Sequence, residues 1–361
     1  MIESFKDLDT KFDQDELYQN TENFLKERAS WCKIIEIVDD VEKTTKNPID
    51  VLTDFEKIVS ISLNMDRGFE LYSQSDRLVN YVLSEESTIS SKWPWLDDAL
   101  GGGWAQKGKA LYMFAGQANI GKSIFLGNVA ANIAEQGKTV VVITLEMSEM
   151  MYAQRIASNV TKIPMRDFKF EAPALRYALA EQKKRVPEGK IFIKEFPPAT
   201  MTPKQIAAFI KKLQDSGETI DAIVIDYVNL LHSTFGANSY ERVKRICEEV
   251  RAFSYIFACP VISATQLNRG AFNSSNPGME GLSESIGVAA TADVILSIFQ
   301  EEEDQELKII RLGMMKNRFG PRGMVQTMKI DYSTLSITQS EDEDEIMGEE
   351  DLSILEKLAN N

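Results

Sequence analysis

The sequence has few of the residues that build metal clusters and disulfide frameworks. Its three cysteines, Cys32, Cys247 and Cys259, are scattered through 361 residues, and it contains a single histidine. Common zinc sites need four Cys or His ligands at short spacing, and disulfide frameworks need cysteines in pairs. The sequence therefore excludes a zinc cluster of the usual type and fits a reducing compartment.

Long hydrophobic segments are also lacking. The longest apolar runs, such as residues 140–145 and 222–225, are far shorter than the roughly 20 residues that a membrane-spanning helix needs. The acidic N-terminus does not have the basic and then apolar order of a signal peptide. We therefore expect a cytoplasmic protein without a membrane partner.

Positive charge is in the minority. Lysine and arginine total 40 against 55 acidic residues, which gives a net charge of −15. Nine acidic residues and one lysine lie in residues 341–361, so this tail alone carries −8 of that charge. The remaining charge does not exclude a local basic groove, because the distribution of lysine and arginine over the faces matters more than their sum. It argues against a protein that coats DNA over its whole surface.

One strong motif is present, between an apolar strand pattern at 109–115 and a helical pattern that runs to residue 136. Its spacing is Gly, four residues, Gly-Lys-Ser, in which backbone N–H groups surround a phosphate, the lysine reaches the outer phosphates and the hydroxyl ligates Mg²⁺. The following helix N-terminus adds further donors. We therefore predict binding of ATP or another nucleoside triphosphate with Mg²⁺, and a plain glycine turn is the alternative. The motif, called the phosphate loop below, consists of Gly116, Gln117, Ala118, Asn119, Ile120, Gly121, Lys122 and Ser123.

Strand and helix patterns alternate along most of the chain. This alternation predicts an α/β fold with a mostly parallel sheet, helices on both of its faces and antiparallel strands at its end. The predicted strands are 109–115, 139–145, 190–196, 222–225, 261–265, 293–300, 306–315 and 324–337. The predicted helices that follow the phosphate loop are 147–160, 173–185, 202–217 and 239–257.

The patterns divide the chain into three segments. We predict an N-terminal helical linker segment at 1–80, an ATPase core at 81–338 and an acidic disordered tail at 339–361. The linker segment contains two amphipathic helical patterns, at 15–38 and 48–63, with a charged linker from residue 39 between them. Their apolar faces need a partner, so we expect docking on a neighbouring subunit. Packing on their own domain is the alternative.

Polar residues follow three further strands at their carboxyl ends, where parallel sheets bind ligands. Asp226 is predicted to hold the Mg²⁺ shell, usually through water. Glu146 ends a strand that we expect beside the phosphate-loop strand, and is predicted to orient the attacking water. Gln266 is predicted to bond the γ-phosphate and to report nucleotide state to the loop that follows it. The alternatives are a cap or turn residue for Asp226 and a surface acid for Glu146.

The order of the motifs resembles a known family. The chain carries GQANIGKS, ITLEMSEMMYAQRIAS, IVIDYVNLL, SATQLNR, LSESIGVAATADVIL and MKNRFG in that order. This series resembles the ATPase domain of DnaB-type hexameric replicative helicases, most closely the T4-like phage members, over residues 15–323. The resemblance implies a RecA-like core with linker helices, a hexameric ring around single-stranded DNA and 5′ to 3′ translocation coupled to ATP hydrolysis. Primase and a helicase loader are the implied partners, and a phage-encoded member would act in the host cytoplasm.

The resemblance also implies roles for individual residues. By this resemblance Glu146 is the catalytic base, and Lys316 and Arg318 match the pair that is inserted into the nucleotide site of the adjacent subunit. Ser283 stands where bacterial members have an arginine, so contact with the DNA backbone would come from N–H and hydroxyl groups. The family has a separate N-terminal collar domain, so we expect either a truncated form or a chain that dispenses with the collar. The residues implied to contact DNA are Arg269, Ser283, Glu284 and Ile286.

Two other functions remain open at this stage. One is a RecA-like recombination or clamp-type ATPase that binds DNA or protein without unwinding. The other is a nucleotide-driven regulator with no DNA ligand. Stimulation of ATP hydrolysis by single-stranded DNA separates the regulator from the two DNA-dependent functions.

Overall fold

A computed structural model of the protein describes residues 14–41, 54–55, 57–59, 61, 68–83, 88–105, 109–233, 239–266, 288, 290–300 and 302–340. The chain divides into two compact units, Met1–Ser84 and Glu85–Asn361. Among the described residues, no helix is both long and apolar enough to cross a membrane.

The described part of the N-terminal unit is helical. Helix α1 (Gln14–Val41) extends beyond the predicted end at residue 38. The prediction of a charged linker is therefore wrong for residues 39–41, which are helical. Helix α2 (Ser75–Leu83) was not predicted. Lys33 of α1 forms an ion pair with Asp54 at 2.6 Å, which joins α1 to the helical residues 54–55. Residues 48–53 lie outside the described part, so docking of the second helix on a neighbouring subunit stays a prediction.

The second unit is built on a nine-stranded sheet in the order β11-β10-β9-β8-β3-β7-β6-β4-β5. Neighbours from β8 through β3 to β5 are parallel, and β8 to β11 pair antiparallel. This arrangement confirms the predicted α/β fold. The sheet strands are β3 (Leu111–Gly116), β4 (Thr139–Thr144), β5 (Lys190–Glu195), β6 (Ala222–Asp226), β7 (Val261–Gln266), β8 (Val294–Phe299), β9 (Ile309–Asn317), β10 (Val325–Asp331) and β11 (Ser336–Gln339).

Helices cover both faces of this sheet, as predicted. Alternate residues of β3 enter two separate cores, with Phe114 on one face and Met113 on the other. The first core includes Phe125 of α4, and the second includes Phe253 of α8. The helices of this unit are α3 (Pro94–Leu100), α4 (Lys122–Ala134), α5 (Glu149–Thr161), α6 (Ala172–Arg185), α7 (Pro203–Asp215), α8 (Ser239–Ile256) and α9 (Glu302–Leu307), and a small hairpin pairs β1 (Thr88–Ile89) with β2 (Trp104–Ala105).

Two parts of the predicted element order are wrong. Residues 302–307 are helical where a strand was predicted to begin at 306, and the predicted strand 324–337 is two strands joined by a turn. The Asp331 carboxylate forms that turn by accepting hydrogen bonds from Ser333 and Thr334, which lowers its pKa to about 2. Leu335 completes the turn at φ 56°. The β-forming composition of the segment hid this turn, because Tyr332 and Thr334 favour strands as strongly as their neighbours do.

Asn128 ties the phosphate-loop helix to this turn. Its side chain is 3% exposed, accepts from the backbone N–H of Ile337 at 2.9 Å and from Asn159 Nδ2 of α5 at 2.7 Å, and donates to the Leu335 carbonyl at 2.8 Å. Three elements therefore share one buried amide. Satisfied buried amides of this kind fix how elements pack, because each unpaired polar group in the interior is costly.

We expect Asn128→Leu to lower the free energy of unfolding by about 2–4 kcal/mol, because each buried N–H or C=O left unpaired costs about 1–3 kcal/mol. Urea unfolding followed by circular dichroism measures the loss. Asn132→Leu on the same helix is the matched control, since half-buried Asn132 donates to the Ser91 carbonyl at the helix surface. Equal losses in the two variants would contradict the prediction.

Candidate nucleotide-binding site

The phosphate loop joins the end of β3 at Gly116 to the start of α4 at Lys122. A Cβ at Gly116 would lie 2.7 Å from Ile120 Cγ2 and 3.1 Å from the Ile298 carbonyl oxygen, so the loop cannot close over a larger residue. Gly121 caps α4 with φ 99°, and Asn119 also has a positive φ of 63°. These conformations turn the chain sharply enough for a buried strand to lead directly into a helix N-terminus.

Lys122 lies inside this loop. Its side chain is only 8% exposed, and Nζ donates to the carbonyls of Gln117 at 2.6 Å and Gly116 at 3.2 Å. Burial lowers the pKa of Lys122, while the charges of Asp226 and Glu146 oppose that shift. The ammonium is therefore a desolvated cation held at the point where the outer phosphates of a nucleotide are predicted to lie.

Asp226 is a fully buried carboxylate at the end of β6. Neither of its side-chain oxygens has a hydrogen-bond partner among the described residues. The Ser123 hydroxyl faces the carboxylate without reaching the geometry of a full hydrogen bond. Burial raises the pKa of Asp226 to about 6, the charge of Glu146 adds to the rise, and Ser123 opposes it. A buried, unpaired carboxylate beside a hydroxyl is an arrangement that a hard cation satisfies.

The registers of the strands bring the other predicted residues to the same edge of the sheet. Gln266 of β7 lies opposite Gly116 of β3, and Asp226 of β6 lies opposite Thr144 of β4, with Glu146 two residues beyond. Glu146 and Gln266 are exposed and line one cavity of about 520 Å³ together with Lys122 and Ser123. The phosphate loop, Glu146, Asp226 and Gln266, which the sequence places at strand ends, therefore lie at one edge of the sheet.

One expectation about this edge was wrong. We expected β4 to lie beside β3, but β7 and β6 lie between them. The connection from β3 through α4 skips two positions, which later strands fill, and α4 packs against β7, β6 and β4 alike. Glu146 nevertheless reaches the cavity, because the carboxyl ends of all parallel strands meet at one edge.

Sequence reasoning missed Arg155 and Tyr152 of α5. Arg155 lines the cavity, and its charge opposes the rise in the pKa of Asp226. The Tyr152 hydroxyl is buried beside Asp226 and has no full hydrogen bond within the described residues. Ser148 caps this helix, so Ser148, Tyr152 and Arg155 lie on one face at helical spacing. That spacing from the end of β4 was the available signal.

The structure does not bring Lys316 and Arg318 to the phosphate loop of their own chain. Asn317 pairs with Val294 at the start of β8, whereas Gly116 pairs with Ile298 near its end. Strands rise about 3.3 Å per residue, so the two sites lie roughly 13–16 Å apart along β8, at opposite edges of the sheet. Arg318 is therefore remote from the phosphate loop of its own chain, as a role at the adjacent subunit requires.

The predicted DNA-contacting residues lie outside the described part of the chain. These are Arg269, Ser283, Glu284 and Ile286. Their assignment to DNA stays a prediction.

Comparison with known proteins identifies the family. Residues 88–335 match the model of the DnaB-like helicase C terminal domain. A DnaB-like replicative helicase of Enterobacteria phage T4 is 26% identical over 334 residues, which cover 87% of this chain and 70% of that protein. The replicative DNA helicase DnaB of Mycoplasma genitalium is 29% identical over 303 residues, which cover 76% of this chain and 62% of that protein.

Two solved structures share the fold at low sequence identity. One, solved as an ATPase domain, has a TM-score of 0.64 at 17% identity and covers 76% of this chain and 100% of that one. The other, a DnaB-like replicative helicase studied with its interactions with primase, has a TM-score of 0.67 at 16% identity and covers 90% of this chain and 78% of that one. The RecA-like core expected from the motifs is therefore confirmed, and the chain belongs to the family of the DnaB-like helicase C-terminal domain.

Proposed function

We propose that this chain is the motor of a ring-shaped replicative DNA helicase, which hydrolyses ATP to move 5′ to 3′ along single-stranded DNA and separates the duplex ahead of it. Membership of the DnaB-like family and the similarity to named replicative helicases support the proposal. The chain spans between half and about 70% of the length of such curated relatives, so activity, substrate and partners are inferred for it rather than transferred.

A single observation carries the proposal. One cavity collects a buried lysine, a serine hydroxyl, an exposed glutamate and an exposed glutamine, and an unpaired buried carboxylate lies directly behind the serine. This set contains the groups that phosphoryl transfer to water needs: a phosphate-binding cation, ligands for Mg²⁺, a base that orients the water and a hydrogen-bond donor to the γ-phosphate. The residues are Lys122, Ser123, Glu146, Gln266 and Asp226.

The donor set fits Mg²⁺ better than a transition metal. The described residues contain no group of three His, Cys, Asp or Glu side chains that could hold an ion by themselves. Mg²⁺ prefers one or two oxygen ligands from the protein, with phosphates and water completing its shell. Ser123 Oγ and the Asp226 carboxylate would supply those oxygens, the carboxylate usually through water. The bound ion would supply positive charge that offsets the negative charge of the phosphates.

The remaining residues divide the hydrolysis between them. Lys122 would exchange its bonds to the loop carbonyls for bonds to the outer phosphates. Glu146, exposed at the rim, would accept a hydrogen bond from the attacking water and align it with the γ-phosphate. Gln266 would donate to a γ-phosphate oxygen, and because it ends β7 next to the segment from residue 267, it would pass the nucleotide state to that segment.

Two cationic side chains of the same chain line the cavity, Lys122 and Arg155, and the far edge of the sheet adds none among the described residues. Charge that develops on the γ-phosphate in the transition state calls for a guanidinium, which raises rates by roughly 10³ to 10⁵ in known phosphoryl-transfer enzymes. Arg318 lies at the opposite edge of the sheet, bonded to Asp293. We therefore propose that Arg318, with Lys316, acts on the nucleotide of the adjacent subunit, and that the working form is a homo-hexamer.

The same family membership supports the proposed partners. The DNA strand would pass through the ring and contact Arg269, Ser283, Glu284 and Ile286. A primase is a proposed partner because one structural relative was studied in its interactions with primase. A helicase loader and a cytoplasmic location complete the proposal.

A RecA-like recombination ATPase without unwinding activity is the alternative, and the family match does not favour it. The decisive measurement uses forked duplexes with a 5′ or a 3′ single-stranded tail. We expect single-stranded DNA to stimulate ATP hydrolysis and the 5′-tailed fork to be unwound in preference. ATP hydrolysis that DNA stimulates without unwinding of either fork would overturn the helicase proposal.

Asp226→Asn tests the metal site through stability in the absence of Mg²⁺ and nucleotide. The raised pKa means that the folded protein holds this proton more tightly than the unfolded chain, so the stabilising effect of the proton is lost as the pH rises through about 6. Asparagine removes the buried charge. We expect the variant to exceed the wild type in free energy of unfolding by up to about 3 kcal/mol at pH 8, and by much less near pH 4.5.

Urea unfolding at the two pH values measures this difference. Glu146→Gln, which removes an exposed carboxylate from the same cavity, is the matched comparison. It should raise the stability at pH 8 by less than Asp226→Asn does, because burial raises the pKa of Asp226 more than the charge of Glu146 does. We also expect Asp226→Asn to lose the stabilisation that Mg²⁺ with a nucleotide gives to the wild type. A variant that is destabilised at pH 8 would contradict the prediction.

Glu146→Gln should separate binding from hydrolysis. The amide keeps the size and hydrogen bonding of the side chain but cannot act as a base, so we expect kcat to fall by about 10²–10⁴ while nucleotide affinity is retained. Lys122→Ala should abolish hydrolysis and weaken binding. The matched control is Glu149→Gln, because Glu149 pairs with Lys194 at 2.7 Å and does not line the cavity. Near wild-type hydrolysis by Glu146→Gln would rule out the assigned base.

Arg318→Ala should bind ATP normally and be inactive. Mixed with Lys122→Ala, it should regain part of the hydrolysis, because some junctions then pair an intact phosphate loop with an intact Arg318. Steady-state hydrolysis against mixing ratio measures this recovery. Failure to recover in mixtures that exchange subunits would overturn the assignment of Arg318 to the neighbour.

A further inference from the structure

The edge of the sheet opposite the phosphate loop carries a compact group of charged side chains. Arg251 projects from α8, Asp293 directly precedes β8, and Lys316 and Arg318 lie at the end of β9. The proposed function uses only the last two. Resting on that proposed function, we infer that Arg251 and Asp293 are positioning residues that hold Arg318 in the orientation in which it meets the nucleotide of the neighbouring subunit.

Asp293 is bonded from three sides. Its side chain is 4% exposed. Oδ2 accepts from the backbone N–H of Leu111 at 3.0 Å and from Arg251 Nε at 2.9 Å. Oδ1 accepts from Arg251 Nη2 at 3.0 Å and from Arg318 Nη1 at 2.7 Å. A carboxylate with four charge-assisted or backbone hydrogen bonds has little freedom to rotate.

Arg251 fixes the orientation of the Asp293 carboxylate and therefore the direction from which Arg318 can donate to it. The bidentate pair between Arg251 and Asp293 fixes the carboxylate plane, because two parallel N–H···O bonds allow one relative orientation. One lone-pair direction of Oδ1 then remains for Arg318. Arg251 itself is anchored against the ring of Tyr255, with its Cζ 5.7 Å from the ring centroid. The orientation of Arg318 is thus set by a side chain on a different element.

The backbone supports the same orientation. The N–H of Arg318 donates to the carbonyl of Asp293 at 3.1 Å, and Lys316 Nζ donates to the carbonyl of Ala292 at 2.7 Å. The end of β9 is therefore held to residues 292–293 on both sides of Asn317. The Arg318 side chain remains 48% exposed, so part of its guanidinium faces away from the sheet.

The charges of this group suit an anion. Asp293 supplies one negative charge against three positive charges from Arg251, Lys316 and Arg318. The pKa of Lys316 is lowered by burial first and then by the charge of Arg318, Asp293 opposes the shift, and Arg251 adds to it. The three like charges repel one another at this short range. An incoming γ-phosphate would relieve that repulsion. Asp293 keeps the cations together until the phosphate arrives, and its bond to one nitrogen of Arg318 leaves other donors for the phosphate.

The test measures DNA-stimulated hydrolysis by Asp293→Asn and Arg251→Gln. We expect kcat to fall about 10- to 100-fold while KM for ATP changes less than about 3-fold, because a displacement of about 1 Å at a reacting group can cost about 10²-fold. Asp304→Asn is the matched control. Asp304 is equally buried and forms the same bidentate pair with Arg311 of β9, at 3.0 and 3.2 Å. It should keep kcat within about 2-fold of the wild type even where the loss of unfolding free energy is similar.

Subunit mixing separates positioning from general damage. Asp293→Asn mixed with Lys122→Ala should regain hydrolysis, because the first supplies an intact phosphate loop and the second an intact arginine. Asp293→Asn mixed with Arg318→Ala should regain no hydrolysis, because neither variant presents a correctly oriented Arg318 to its neighbour. A protein that was merely misfolded would complement neither. If Asp293→Asn does not fold, Arg251→Gln takes its place in both mixtures.

The outcomes also separate this inference from the proposed function. Wild-type kcat or increased activity in both Asp293→Asn and Arg251→Gln would overturn the positioning role, and increased activity would show that the carboxylate restrains Arg318 instead. Recovery by Arg318→Ala with Lys122→Ala, but not by Asp293→Asn with Lys122→Ala, would overturn the positioning role and leave the proposed function intact. Failure of both mixtures would overturn the neighbour assignment on which the inference rests.

Discussion

The Asp226 carboxylate is fully buried at the end of β6 and has no hydrogen-bond partner among the described residues. The candidate nucleotide site is arranged around it. Burying an unpaired carboxylate costs free energy, which appears as the rise of its pKa to about 6. Ser123, Arg155 and Lys122 each oppose that rise. Strain of this kind is typical of functional sites, and the proposed Mg²⁺ would relieve it.

The sequence alone predicted which polar residues lie at this edge because the relevant signals are local. A glycine-rich loop between a strand and a helix needs specific backbone conformations, seen at Asn119 and Gly121, and such requirements are visible in a short segment. Asp226 and Gln266 were predicted from their positions at the ends of apolar strands. The carboxyl ends of parallel strands share one edge, so these residues met there even though the predicted neighbour of β3 was wrong.

The features that sequence reasoning missed depend on contacts between distant parts of the chain. Strand order is set by which faces pack together, and no local pattern shows that β7 and β6 come between β3 and β4. The turn at Leu335 relies on Asn128, some two hundred residues away, and the Asp293 cluster joins three elements in the same way. Arg155 was hidden for a different reason, because an arginine on a helix is ordinary until its carboxylate partner is located.

The separation of Arg318 from its own phosphate loop also restricts how copies of the chain can assemble. A contact that brings Arg318 of one copy to the phosphate loop of another joins two different surfaces, so it is heterologous. A two-fold dimer would need both surfaces within one self-complementary patch, and here they lie at opposite edges of the sheet. Repeated heterologous contacts either close into a ring or continue as a helical filament. All subunits then point in the same rotational sense, and this directionality gives the assembly two unlike faces.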